Sequence, residues 1–162
     1  MKINSLIETE RCFLKEITID DSEQIVKWRS DPNVYCFFKN PIKISLESHL
    51  KWFNDSYLIN ENRIDLILYL KNTNIKIGVF SICKCEDNKA EVSYLLDERL
   101  QGKGFASEAL NAMEQYFASL WGINSFIAEI HKDNIKSITF IKKMGYVKSI
   151  ESEHFYIFEK QI

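Results

Sequence analysis

The run Val92-Ser93-Tyr94-Leu95-Leu96 leads through Gln101-Gly102-Lys103-Gly104 into a strongly helical segment, and this junction constrains the fold more than any other feature of the chain. The run is β-branched or apolar, as a strand requires. Beyond the glycines, Ala106, Ala109, Leu110, Met113, Phe117 and Leu120 recur at the three-and-four spacing of an amphipathic helix. A strand, a glycine turn and a helix follow. The first N–H groups of such a helix have no internal partners and lie at the positive end of its dipole, so the expected guest is a phosphate or pyrophosphate. Gly102 and Gly104 allow that guest to approach closely.

Two common phosphate loops do not fit. A Walker loop needs G-x-x-x-x-G-K-[ST], whereas here Phe105 follows Gly102-Lys103-Gly104 where the hydroxyl belongs. A dinucleotide fingerprint needs a third glycine, and Ser107 stands in its place; the residues before it also lack the helix–strand alternation of a βαβ unit.

Gln101-x-x-Gly104-x-Ala106 instead resembles the coenzyme A pyrophosphate loop of the GNAT superfamily of N-acetyltransferases, Q/R-x-x-G-x-G/A. Further along, Asn134-Ile-Lys-Ser137 running to Lys143-Met-Gly145-Tyr146 is similar to the family's N-x-x-S/A helix ending in K-x-G-F/Y. Glu91, ten positions before Gln101, and Tyr94 match the A/G-E-x-x-Y strand of the ribosomal-protein and polyamine acetyltransferases. The resemblance implies a GNAT fold of the α/β (α+β) class: a mixed, mostly antiparallel sheet of six to seven strands flanked by about four helices. It implies acetyl-CoA as co-substrate.

The chain's 162 residues suit one domain spanning 1–162. A formal net charge of −2 with no basic run argues against nucleic acid or an anionic membrane as the main partner. No run is long and apolar enough to span a bilayer, and the N-terminus lacks the apolar core of a signal peptide, so the cytoplasm is the expected compartment. Cys12, Cys36, Cys83 and Cys85 show no C-x-x-C spacing and read as free thiols, Cys36 as a partly buried apolar residue. The three histidines lack metal-ligand spacing, and no metal is expected.

Residues 11–18 read as a first strand, followed by a helix from Asp20 or Asp21 to Ser30 with Asp20-x-x-Glu23 as a capping box and Asp31-Pro32 as its stop. Ser45 caps a second helix whose stripe is Leu46, Leu50, Phe53 and Tyr57. Strands over 63–70 and 75–84, and a tight turn at Asp87-Asn88, lead into the strand carrying Glu91 and Tyr94. Strand, helix and two final strands complete the chain.

The resemblance implies attack of an amine on the thioester of acetyl-CoA, and the amine must be neutral to have a lone pair. An alkylammonium of pKa near 10.4 is neutral in about one molecule per few thousand at pH 7, an α-amino group near 8 in roughly one per ten. Glu91 is the candidate base, acting directly or through a water; the alternative is a solvent-facing carboxylate on a half-exposed strand. Many relatives place a tyrosine acid seven positions after the motif asparagine, and here that position is Ile141. Ser137 is the remaining polar group on that helical stripe and the candidate partner of the leaving thiolate. Asn134 reads either as a pantetheine contact or as a helix cap.

Cofactor contacts are implied at the strand backbone of Tyr94, Leu95 and Leu96, where a ligand adds to a sheet edge, and at Gln101, Gly102, Lys103, Gly104, Phe105, Ala106, Ser107 and Asn134. Lys142 and Lys143 read as contacts to coenzyme phosphates or as a solvated helix end. Relatives build the acceptor site from the first two helices and the loop between them, which nominates Trp28, Arg29, Tyr35 and His49. Trp28 fits core packing as well as stacking, and His49 fits the edge of an apolar stripe. The front of the chain is similar to acetyltransferases of nucleotide-linked amino sugars, so the leading acceptor is a small-molecule primary amine such as an amino sugar. A protein N-terminus is the alternative acceptor, a non-catalytic acyl-CoA sensor is the alternative function, and a homodimer stays open.

Overall fold

A computed structural model describes residues 1–162. Its strands are β1 (Ile7–Glu8), β2 (Cys12–Glu16), β3 (Arg63–Leu70), β4 (Lys76–Lys84), β5 (Lys89–Leu96), β6 (Ser125–His131), β7 (Val147–Glu151) and β8 (Phe155–Gln161). The α-helices are α1 (Ser22–Arg29), α2 (Pro32–Tyr35), α3 (Leu46–Trp52), α4 (Phe105–Trp121) and α5 (Ile135–Lys143). All strands join one sheet in the order β1-β2-β3-β4-β5-β6-β8-β7. Only β5 and β6 run parallel, because α4 carries the chain between them. Two elements more than expected are short: β1 has two residues and α2 a single turn.

The sheet is covered on both faces, which is why Ile64 to Leu68 are buried without alternation. On one face Leu66, Phe80, Ile82, Phe126 and Phe158 pack against Ala109, Leu110, Met113 and Phe117 of α4 and Ile141 of α5. On the other face Ile67 and Val79 meet Ile25 and Trp28 of α1 with Phe53 and Tyr57.

Several local expectations are corrected. Asp21, not Asp20, caps the first helical turn: its carboxylate accepts the Thr18 N–H at 2.7 Å. Asp31-Pro32 starts a new turn as well as following α1, since the Asp31 carboxylate accepts the Asn33 N–H at 2.9 Å. Ser45 caps α3 as its sequence suggests, accepting from the Ser48 N–H at 3.1 Å. The buried stripe there is His49, Phe53 and Tyr57, because α3 widens into a π turn over Phe53–Tyr57; Leu46, in the first turn, stays exposed. Leu120 is exposed too, on the outside of the last turn of α4, where Phe117 and Trp121 pack against each other with tilted rings 4.7 Å apart. Cys36 is exposed, because α2 is one turn on the surface and buries none of its residues.

Asp87 and Asn88 form the β4–β5 turn with φ of 57° and 56°, the left-handed pair of a tight hairpin. β5 then pairs with β4 along its whole length but with β6 only over Lys89–Glu91. Beyond Glu91 the two strands part, and β6 continues against β8 as far as His131. The result is a wedge in the middle of the sheet.

Candidate active site

The wedge opens toward the glycine junction. Gly102 and Gly104 have φ of 77° and 83°, conformations that exclude most side chains, and Gly104 directly precedes α4. None of the six consecutive backbone N–H groups from Gly102 to Ser107 has a hydrogen-bond partner within the chain; the first bonded amide is that of Glu108, to the Gly104 carbonyl at 3.1 Å. These donors sit at the positive end of a helix of 17 residues. The donor set matches an anionic phosphate ligand.

Residues outside the motif hold this loop. Arg11 on the β1–β2 turn donates from Nη1 to the Lys103 carbonyl at 3.0 Å and from Nε to Glu108 Oε1 at 2.9 Å, and its guanidinium lies 4.2 Å from the centre of the Phe105 ring. A side chain at position 104 would stand 3.2 Å from an Arg11 guanidinium nitrogen. Gln101 folds back, its Nε2 donating to the Leu96 carbonyl at 3.2 Å. Asp97 accepts from Arg99 Nε and Nη2 at 3.0 Å each and from the indole Nε1 of Trp28 at 3.3 Å. These bonds, led by the Arg99 side chain, hold the Asp97 carboxyl down at about 2. Trp28 is thus a buried strut between α1 and the loop. Nothing in the spacing of Arg11 or Asp97 signals these roles.

On the α5 side, Asn134 caps its own helix, its Oδ1 accepting the Ser137 N–H at 3.4 Å. The Ser137 hydroxyl oxygen lies 2.7 Å from the phenol oxygen of Tyr94. Burial pushes the Tyr94 phenol up to about 12, so it keeps its proton at neutral pH. Ile141 is fully buried in the core and offers no polar group there. Lys142 and Lys143 are exposed at the far end of α5 from Asn134 and make no ion pair.

Glu91 is the last β5 residue paired with β6, so it stands at the vertex of the wedge. It points away from buried Ala90 and Val92, toward the α1–α3 face, and is half-buried rather than solvent-facing. Burial raises its pKa, the nearby Glu129 carboxylate adds to the rise, and Lys39 and Arg63 oppose it. Lys39 pairs with Glu129 at 3.0 Å. Arg29, at the end of α1, is half-buried, while His49 is only 7% exposed, deeper than a stripe edge implies. Tyr35 lies half-buried on α2. A surface cavity of about 410 Å³ lies between α1 and Lys43–Leu46, and none of these groups lines it.

The chain as a whole is similar to several known proteins. An uncharacterized protein of Methanocaldococcus jannaschii is 28% identical over 148 residues, 88% of this chain; the chain spans only 29% of that relative's length. The uncharacterized N-acetyltransferase p20 of Bacillus licheniformis is 28% identical over 86% of this chain and 81% of its own. The crystal structure of a domain from M. jannaschii matches with a TM-score of 0.83 and 25% identity over 96% of this chain and all of that one. RimL, the ribosomal L7/L12 α-N-protein acetyltransferase in complex with coenzyme A, shares the fold with a TM-score of 0.82 at 19% identity, over 98% of each chain. The family pattern described as the acetyltransferase (GNAT) domain matches residues 11–147, and the chain belongs to that family.

Proposed function

We propose that this protein transfers the acetyl group of acetyl-CoA to the primary amine of a small molecule, an amino sugar being the leading class. The observation that carries the reading is the row of six partnerless N–H groups from Gly102 to Ser107, at the mouth of a wedge that ends at Glu91. The loop amides would hold the pyrophosphate, and the unpaired edge of β5 over Val92–Leu96 would pair with the pantetheine amides. Gln101, Lys103, Phe105, Ala106 and Ser107 supply backbone to this cradle, and Asn134 shapes the helix start beside it. The relatives' names support acetyl transfer, and RimL shows the fold holding coenzyme A.

In this reading Glu91, half-buried and raised above the ordinary carboxylate range, takes the proton from the attacking ammonium directly or through a water. Glu91 lies on the α1–α3 face of the sheet, which this reading takes as the acceptor side, with the cofactor along β5. The Ser137 hydroxyl, held by the neutral Tyr94 phenol, stabilises the leaving thiolate. Tyr94 is a positioning residue, and supplies from β5 the phenol that position 141 lacks.

Thiol release from acetyl-CoA against amino sugars, polyamines, aminoglycosides and N-terminal peptides tests the proposal. Turnover on amino sugars is the expected result. Turnover on peptides alone would replace the acceptor with a protein N-terminus. Tight acetyl-CoA binding with no turnover on any acceptor would overturn transfer in favour of an acyl-CoA sensor.

A further inference from the structure

The face of the sheet beside Glu91 carries a cation that the protein leaves unpaired. Arg63, Cys83, Glu91 and Ile127 form one cross-strand row, and Asp65, Ser81 and Ser93 form the next. Asp65, 2% exposed, is engaged by Arg63, which donates from Nε to Oδ1 at 2.9 Å and from Nη2 to Oδ2 at 3.1 Å. Arg29 comes down on these residues from the end of α1 and feels the charges of both Asp65 and Arg63. Its guanidinium makes no hydrogen bond and no ion pair, whereas the other arginines, Arg11, Arg63 and Arg99, are each paired with a carboxylate. His49 lies within reach of the same charge, and its Nε2 is buried without a partner. The Trp52 ring lies 5.3 Å from the His49 ring and 5.1 Å from the Arg63 guanidinium.

Lys2 and Glu16 adjoin this group and offset each other, so two guanidinium groups face one carboxylate. On the same face, Glu91 feels the charges of Glu129, Lys39 and Arg63, and Lys39 pairs with Glu129 at 3.0 Å. Charges withdrawn from water are normally paired, and a guanidinium left unpaired beside a partnerless imidazole is suited to an oxyanion from outside the chain.

We infer that the acceptor is a small amine that also carries an oxyanion, a carboxylate or a phosphate, whose amine lies at Glu91 and whose oxyanion is bound by Arg29 and His49. The inference rests on reading this face of the sheet, beside Glu91, as the acceptor site. Arg29 is then the specificity-determining residue: it offers a planar pair of donors that Lys cannot reproduce, and the His49 Nε2 supplies one further contact.

The test is calorimetric titration of the full chain, as wild type, Arg29→Gln and Arg29→Lys, with two matched pairs: glucosamine 6-phosphate against glucosamine, and 4-aminobutanoate against butylamine. Wild type should bind the charged member of at least one pair about tenfold tighter or more, as a charge-assisted contact provides. The preference should fall to near one in Arg29→Gln and survive in part in Arg29→Lys. Preference within only one pair assigns the oxyanion as phosphate or as carboxylate. Arg29 bonds to nothing in the chain, so Arg29→Gln should melt no lower than wild type. Equal binding within both pairs, a preference that survives Arg29→Gln, or no detectable binding of either charged probe overturns the inference. Thiol release with the same four compounds separates the two readings: release without charge preference keeps the acetyl-transfer proposal and sinks this one, and charge preference without release does the reverse.

Discussion

The phenol oxygen of Tyr94 on β5 and the hydroxyl oxygen of Ser137 on α5 stand 2.7 Å apart, a contact that ties together the two walls of the wedge. The phenol is also fixed by the Phe140 ring, whose centre lies 5.0 Å from its own in an edge-on arrangement. Ser137→Ala should lower kcat roughly 10- to 100-fold with little change in acetyl-CoA affinity, as loss of one transition-state hydrogen bond does. Tyr94→Phe should lower it about tenfold. If Tyr94 acts through Ser137, the double variant is no slower than Ser137→Ala alone; multiplying effects would show two independent roles.

Glu91→Gln should reduce turnover of an alkylamine most at neutral pH, and progressively less as pH rises toward the pKa of the amine, where the base is no longer needed. Equal loss at every pH would contradict the base role. The same variant carries a stability signature. The folded-state pKa of Glu91 is raised by burial and by Glu129, so the fold favours its protonated form. Stability from that preference is present below the unfolded carboxylate value and is lost as pH climbs through the raised one. Glu91→Gln should therefore match wild type in acid and melt higher at neutral pH, as thermal scans at the two pH values will show.

Gly104→Val forces a β-branched residue into a φ of 83° and places its Cβ against Arg11. Acetyl-CoA affinity should fall at least tenfold, and unchanged affinity would defeat the loop assignment. Arg11→Ala removes the brace without touching the motif. Its ion pair with Glu108 is partly exposed, so the cost to stability should be small, about 1 kcal/mol by denaturant titration, while cofactor affinity drops.

Trp28→Phe keeps the aromatic packing on Ile25 and Val79 but deletes the indole N–H that reaches Asp97 at 3.3 Å. The expected loss is about 1 kcal/mol of stability, with weaker acetyl-CoA binding because Asp97 begins the loop. If Trp28 instead stacked on the acceptor, the amine KM would change and cofactor affinity would not.

The glycine loop, the strand bearing Glu91 and the helix starting after Asn134 were legible in the sequence because each is local: turn residues, period and cap lie within about ten positions. Arg11, Asp97 and Glu129 were not, because their roles come from β1–β2, α1 and β6 arriving at one place, and no spacing encodes that arrival. The face chosen by Glu91 shows the same limit. Alternation with Ala90 and Val92 put it opposite the core, but only the helices packed on that face make it half-buried. The stripe of α3 was legible only in part: Phe53 and Tyr57 are buried as their spacing implies, whereas in the turns before them the buried residue is His49 and Leu46 stays exposed.

Where β5 and β6 part, the sheet has a missing rung, and the backbone of β5 beyond Glu91 has no strand on the side away from β4, the Leu96 carbonyl being held by Gln101. A ligand lying along that edge would serve as a ninth strand. Amide hydrogens lining the gap should then exchange quickly in the free protein and slowly with coenzyme present, and the melting temperature should climb with the logarithm of its concentration, by roughly 2.7 kcal/mol of stability at a hundredfold excess over Kd. A cell poor in acetyl-CoA would thus hold not only a slower enzyme but a softer one.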